Sequence, residues 1–238
     1  MSLLILGAGY VGERLRAAHA SVTATRRQAD DTSIRFDLAA QETWEGLPAA
    51  DAVVWTFPAA PVELARRFRD HALRHVKNLI VLGSTSAYLT REPDEWVSEE
   101  TPLDLAQPRV AGEESLRQSG ATVLQLAGIW GPGRDPIRWL LDGRVRNGLK
   151  HVNLAHVDDI LAAISAVIAA PRPGERLNVC DGEPRRWREH VAALAAEGRL
   201  PPAFELPETP PGLDSKRVRN DRLRAMLPAH RFTRLSGF

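Results

Sequence analysis

Short apolar runs alternate along the chain with stretches whose apolar residues recur every three or four positions. Ser2–Leu6, Val22–Thr25, Ile34–Leu38, Ala52–Phe57, Leu79–Leu82 and Thr122–Leu126 read as strands. Tyr10 to about His19 and Val62–Val76 read as helices, the second with Ala65, Phe68, Ala72 and Val76 on one face. Near-continuous apolar strands that alternate with amphipathic helices predict an α/β chain: a Rossmann-type, doubly wound parallel sheet covered on both faces. Ligands of such sheets bind beyond the carboxyl ends of the strands, so the residues just past each run are where chemistry is expected.

The first run leads into Gly7-Ala8-Gly9-Tyr10-Val11-Gly12, a G-x-G-x-x-G turn that opens the first helix. Gly7 permits the tight turn, Gly9 lets backbone approach a pyrophosphate, and Gly12 lets the helix pack closely on the sheet. The helix start adds unpaired N–H groups and the positive end of its dipole, so Gly7, Gly9, Tyr10, Val11 and Gly12 are candidate cofactor contacts. The second run ends in Thr25-Arg26-Arg27, where an NAD-preferring site usually carries Asp or Glu. An arginine suits a 2′-phosphate by charge and by its planar donors, so Arg26 and Arg27 predict NADP over NAD. Asp30 and Asp31 follow closely and leave a ribose-binding alternative open. Asp37, at the end of the third run, is a further candidate cofactor contact.

Composition narrows the classes. The 238 residues, 44% hydrophobic and 26% charged, suffice for a well-packed core with a modest appendage. A net charge of +1 gives no general reason to expect nucleic acid or an acidic membrane surface. Cys180 is the single cysteine, which excludes an intramolecular disulfide and a cysteine-rich metal site and fits a reducing cytoplasm. The first strand begins directly after Met1, so no signal peptide is expected, and no apolar run approaches the roughly 20 residues of a membrane span. A cytoplasmic protein without a metal site is expected.

Five further segments carry a resemblance. They are Gly83-Ser84-Thr85-Ser86-Ala87-Tyr88, Glu100-Thr101-Pro102-Leu103, Leu126 to Arg134 with Ile129-Trp130-Gly131-Pro132-Gly133, His156-Val157-Asp158-Asp159-Ile160, and Leu177-Asn178-Val179. With the glycine turn, and in this order, the chain resembles the extended short-chain dehydrogenases/reductases, the NAD(P)-dependent epimerase/dehydratase family, and among them a short, atypical member. The resemblance implies a Rossmann core, a nicotinamide cofactor and a small substrate lobe. It also implies a tyrosine acid four residues before a lysine, and here the chain departs. Only Tyr10 and Tyr88 are present, followed at that spacing by Arg14 and Glu92. In the corresponding segment, matching Glu113 to the glutamate after the family's lysine puts Arg109 at the lysine position and Leu105 at the tyrosine position. Starting from Pro108 instead puts Arg109 at the tyrosine position and Glu113 at the lysine position. Either register loses the acid. The helix from Val110 to Ser119 also looks short, with Gly112 inside it costing about 1 kcal/mol relative to alanine.

Candidates for the missing chemistry are Tyr88, Thr85 and Ser84 as catalytic groups, and Ser86, Trp130, Arg134 and Arg109 as substrate contacts. Tyr88 is the one plausible phenolic acid and would need a nearby cation to work near neutral pH. Ser84, Thr85 and Ser86 either bind a substrate carbonyl or simply cap a strand. His156, Asp158 and Asp159 are expected to be structural, the acids at a helix start, and Asp135 to pair with Arg134. The arginines beyond residue 216 read as a solvated face or, alternatively, as a site for an anionic substrate group. Trp130 and Trp139 either stack on a ligand ring or pack in the core. A core over residues 1–170, with 129–150 contributing to the lobe, and a lobe over 171–238 are expected. A small-molecule substrate and a homodimer are the expected partners. Two functions remain: an NADP(H)-dependent oxidoreductase or epimerase/dehydratase acting on a small carbonyl or sugar-like substrate, or a non-catalytic NAD(P)-binding redox sensor or scaffold.

Overall fold

A computed structural model describes residues 1–236; Gly237 and Phe238, the end of the expected lobe, lie outside the described residues. The elements begin with β1 (Leu3–Leu6), α1 (Tyr10–Ala18), β2 (Val22–Arg26), β3 (Ile34–Arg35), β4 (Ala52–Trp55), α2 (Val62–Ala72) and β5 (Asn78–Ser84). There follow β6 (Glu95–Val97), α3 (Pro108–Gln118), β7 (Thr122–Leu126), β8 (Gly128–Trp130) and α4 (Pro136–Leu141). Next come β9 (His151–Val152), β10 (Leu154–His156), α5 (Val157–Ala169) and β11 (Arg176–Val179). The last are β12 (Arg185–Arg186), α6 (Trp187–Ala196), β13 (Lys216–Val218) and α7 (Asp221–Met226).

Seven strands form one sheet in the order β11-β7-β5-β4-β1-β2-β3, and the pairs from β3 to β5 run parallel. The order reverses at β1, which has β2 on one side and β4 on the other, so the connection leaves a crevice at their carboxyl ends. Every residue of β1 and β4 is buried, as their unbroken apolar runs predict. Phe68 of α2 is fully buried, its ring 4.9 Å from that of Phe36, 5.2 Å from Trp44 and 5.4 Å from Trp55. The third strand is shorter than expected because the Asp37 carboxylate accepts from Ala39 N at 2.9 Å and turns the chain. Phe36 and Leu38 are nonetheless buried.

The chain divides into two compact units with interleaved bounds: residues 1–87, 103–125 and 161–177, and residues 88–102, 126–160 and 178–236. This corrects the contiguous division at residue 170. Residues past the Pro171–Gly174 turn still belong to the sheet, since Val123 N donates to Glu175 O at 2.9 Å as β11 begins. Residues 88–102 join the second unit because β6 pairs in parallel with β13, far along the chain.

Helix α3 corrects a second expectation. A Cβ on Gly112 would stand 1.7 Å from Ala59 O, so this glycine lets the helix lie against backbone and is no flaw in it. The second unit contains the two-stranded pairs β8–β10, β9–β12 and β6–β13 and a core of Leu140, Leu154, Trp187, Val191 and Leu194. Trp130 and Trp139 pack on that core, which favours their packing role. No helix among the described residues is long and apolar enough to cross a membrane.

Candidate functional site

The glycine turn joins β1 to α1 at the point where the strand order reverses. Gly7 has φ +94°, a left-handed conformation that a side chain would strain. A Cβ on Gly12 would stand 2.4 Å from Gly7 O, whereas one on Gly9 would meet nothing within 4 Å. The open space is thus at Gly9, which also starts α1 with no side-chain cap on its N–H groups. Two threonines that no motif marks hold the turn. Thr25 Oγ1 accepts from Gly7 N at 3.1 Å, and Thr56 Oγ1 donates to Gly7 O at 2.5 Å or to Leu6 O at 3.0 Å. Their signal in the sequence is only a position at the end of a strand.

A cleft of about 970 Å³ opens here, lined by Gly7, Gly9, Arg26, Arg27, Asp37 and Thr56, among others. Arg26 and Arg27 differ sharply. Arg26 Nη2 lies 2.7 Å from Glu13 Oε1, and its Nε lies 3.4 Å from Asp30 Oδ2. Against a burial that pushes it up, bonds from Arg16 and Arg26 hold the Glu13 carboxyl below its ordinary range. Asp30 is held at about 2, because Thr32 and Ser33 donate to it. Arg27 is exposed on the cleft and has no carboxylate partner among the described residues. Tyr10, on the turn itself, has the Arg14 guanidinium 3.8 Å from its ring centre.

The carboxyl end of β5 carries the second group of candidates. Ser84 Oγ lies 3.1 Å from Ser86 Oγ, and Arg109 Nη2 donates to Ser86 Oγ at 3.2 Å. Arg109 Nη1 also donates to Glu113 Oε1 at 2.6 Å. Glu113, left unassigned by the sequence, is 1% exposed, and burial pushes its carboxyl up while Arg109 pulls it back. Gly83 makes room for it, since a Cβ there would stand 2.6 Å from Glu113 Oε2 and 2.5 Å from Gln125 Oε1. A half-turn of the Gln125 amide brings Nε2 into that space as a donor to the carboxylate.

Thr85 follows β5 in the first unit, and the remaining candidates lie in the second. Tyr88 is 3% exposed and its hydroxyl donates to Asn178 Oδ1 at 2.5 Å, within a buried pair. That is how a structural tyrosine is used, and it speaks against a proton donor. Trp130 meets the His156 ring edge-on at 4.6 Å. Arg134 is exposed and lines a separate cleft of about 710 Å³ with Arg138, Trp139 and Arg144. Asp135 caps α4, accepting from Ile137 N at 2.9 Å. Asp159, at the start of α5, is buried and binds His230 and Thr233, as a structural acid should. The basic tail is also no uniform solvated face: Arg222 pairs with Glu100, Arg234 with Glu183, and Arg217 donates to Asp94 O.

No protein-family model matches the chain. It is 32% identical to protein YeeZ of Escherichia coli (strain K12) over 177 residues, which are 67% of this chain and 64% of that protein. A presumed NAD-dependent epimerase/dehydratase from Methylobacillus flagellatus is 26% identical, with a TM-score of 0.76 over 94% of this chain and 90% of that one. A short-chain dehydrogenase/reductase superfamily protein from Agrobacterium tumefaciens, solved with bound NAD, shares the fold. It is 19% identical, with a TM-score of 0.74 over 99% of this chain and 94% of that one. With the glycine turn and the sheet order already in place, the chain has the Rossmann-type fold of these proteins and is similar to NAD-dependent epimerase/dehydratase and short-chain dehydrogenase/reductase structures.

Proposed function

We propose that the chain binds a nicotinamide dinucleotide at the Gly7–Gly12 turn, NADP(H) in preference to NAD(H). It then acts as an oxidoreductase or epimerase/dehydratase on a small carbonyl or sugar-like substrate. The observation that carries this reading is the open space over Gly9 in front of an uncapped helix start, a place where backbone N–H groups can meet a pyrophosphate. Gly7, Gly9 and the backbone of Tyr10 and Val11 would hold the pyrophosphate, with Asp37 lining the same cleft. Arg27 would take the 2′-phosphate, because Arg26 is already engaged by Glu13 and Asp30. The cofactor, when bound, supplies the hydride donor or acceptor. For the proton, the buried Tyr88 hydroxyl is a poor source, which leaves the Ser84 and Thr85 hydroxyls or a water.

That same burial favours a second reading, a non-catalytic NAD(P)-binding sensor or scaffold. Fluorescence titration with NADPH and NADH, followed by a panel of carbonyl compounds, separates the two. Arg27→Ala is expected to weaken NADPH about tenfold, close to 1.4 kcal/mol, and to leave NADH almost unchanged. An unchanged ratio would remove the NADP assignment. NADPH bound but never consumed would select the sensor, and failure to bind either dinucleotide would overturn both readings.

A further inference from the structure

Arg109 and Glu113 stand four residues apart on α3, and their pairing is unlike a surface ion pair. An exposed pair at this spacing contributes only tenths of a kcal/mol and leaves both side chains mobile. Here the carboxylate is 1% exposed and the guanidinium side chain 23% exposed. Taking Glu113 out of water costs more than such a pair returns on its own, so the arrangement is not explained by helix stability. What it achieves is a fixed cation. One edge of the guanidinium is tied to Glu113 and another to Ser86, whose hydroxyl lies beside that of Ser84. A guanidinium has five N–H donors, and these two bonds leave donors to spare. Fixed charge and two hydroxyls therefore meet at the carboxyl end of β5.

We infer that Glu113 is a positioning residue that fixes Arg109 beside Ser84 and Ser86, and that these three donors bind a carboxylate group of the substrate. The inference rests on the reading of the chain as a nicotinamide-dependent protein and adds the substrate class: a small carbonyl compound that bears a carboxylate. Arginine and hydroxyl donors together suit a planar anion with two acceptor oxygens. Glu113 acts only through Arg109. Its removal frees the guanidinium to other rotamers without removing any contact to the ligand.

Oxalate serves as the probe, titrated calorimetrically into the protein both saturated with NADP⁺ and free of it. Arg109→Ala is expected to weaken oxalate at least about tenfold, and guanidinium chloride at low concentration is expected to restore part of the loss. Glu113→Gln is expected to weaken it several-fold, with Glu113→Asp recovering part, an outcome that a purely structural carboxylate would not give. Ser86→Ala lies at an exposed position and keeps the test open should the α3 variants fail to fold; it too is expected to weaken oxalate. No oxalate binding by the unsubstituted protein, or affinity unchanged in Arg109→Ala, Ser86→Ala or Glu113→Gln, overturns the inference. Oxalate bound normally by a protein that binds no NADP⁺ would instead overturn the cofactor reading and leave this site standing.

Discussion

Helices α1 and α3 both approach backbone of the first unit more closely than a side chain would allow. A Cβ on Gly12 would stand 2.4 Å from Gly7 O, and one on Gly112 would stand 1.7 Å from Ala59 O. The first glycine announces itself, because it sits at fixed spacing in a phosphate-binding turn whose mechanics dictate each position. The second stands alone in a helix, where local propensity reads it as a defect. Propensity measures what a helix loses by carrying a glycine and is blind to what the neighbouring chain requires. The same contrast runs through the chemistry beside each helix. The Gly7 turn is held by neutral threonine hydroxyls, while the end of β5 is organised by a buried charge.

The largest test of that contrast is Gly112→Ala. Helix propensity alone predicts a gain of about 1 kcal/mol, whereas the clash with Ala59 O predicts a loss of about 3 kcal/mol. Urea unfolding gives the sign, and a stabilised variant would show that α3 does not need the close approach. Within α1 the glycines should separate function from stability. Gly12→Ala is expected to cost about 2 kcal/mol, while Gly9→Ala should change stability by less than about 0.5 kcal/mol. Gly9→Ala should nevertheless weaken NADPH about tenfold, since its Cβ would occupy the open space of the turn. Equal effects of the two on stability would erase the distinction.

The smallest effect compares the groups that hold each region. Thr56→Val removes a hydroxyl bonded to the Gly7 turn and should cost about 1 kcal/mol at every pH. Glu113 should behave differently. Burial raises its pKa above the ordinary carboxylate value, so the folded state keeps the proton where the unfolded chain has lost it. Its contribution is therefore full below the unfolded value and falls as pH rises through the raised one. Unfolding midpoints of Glu113→Gln, measured from pH 4 to pH 8, should lose that slope, whereas those of Thr56→Val should keep it.

Much of the first unit was legible because its signals are local. Unbroken apolar runs marked β1, β4 and β5, and the spacing of Phe68 with Ala65 marked the buried face of α2. What escaped depends on residues far apart in the chain. Thr25 and Thr56 reach the glycine turn from 18 and 49 residues away. β6 pairs with β13, which lies beyond residue 215. Glu113 reads as an ordinary helix acid until Gly83 and Gln125 are seen around it. The two arginines at the end of β2 were equally good candidates by sequence; Glu13 and Asp30 distinguish them by engaging Arg26.

The sequence by itself determined the α/β class, the glycine turn at the first strand and the absence of a tyrosine followed four residues later by lysine. Each of these is a matter of residue type and short spacing, which the chain carries with it before it folds. Only the tertiary structure decided that Tyr88 spends its hydroxyl on Asn178, that Arg27 faces the cleft with no carboxylate partner among the described residues, and that Glu113 anchors Arg109. Those outcomes depend on burial and on which distant partner meets each polar group. Removal from water is what turns an ordinary side chain into a fixed one.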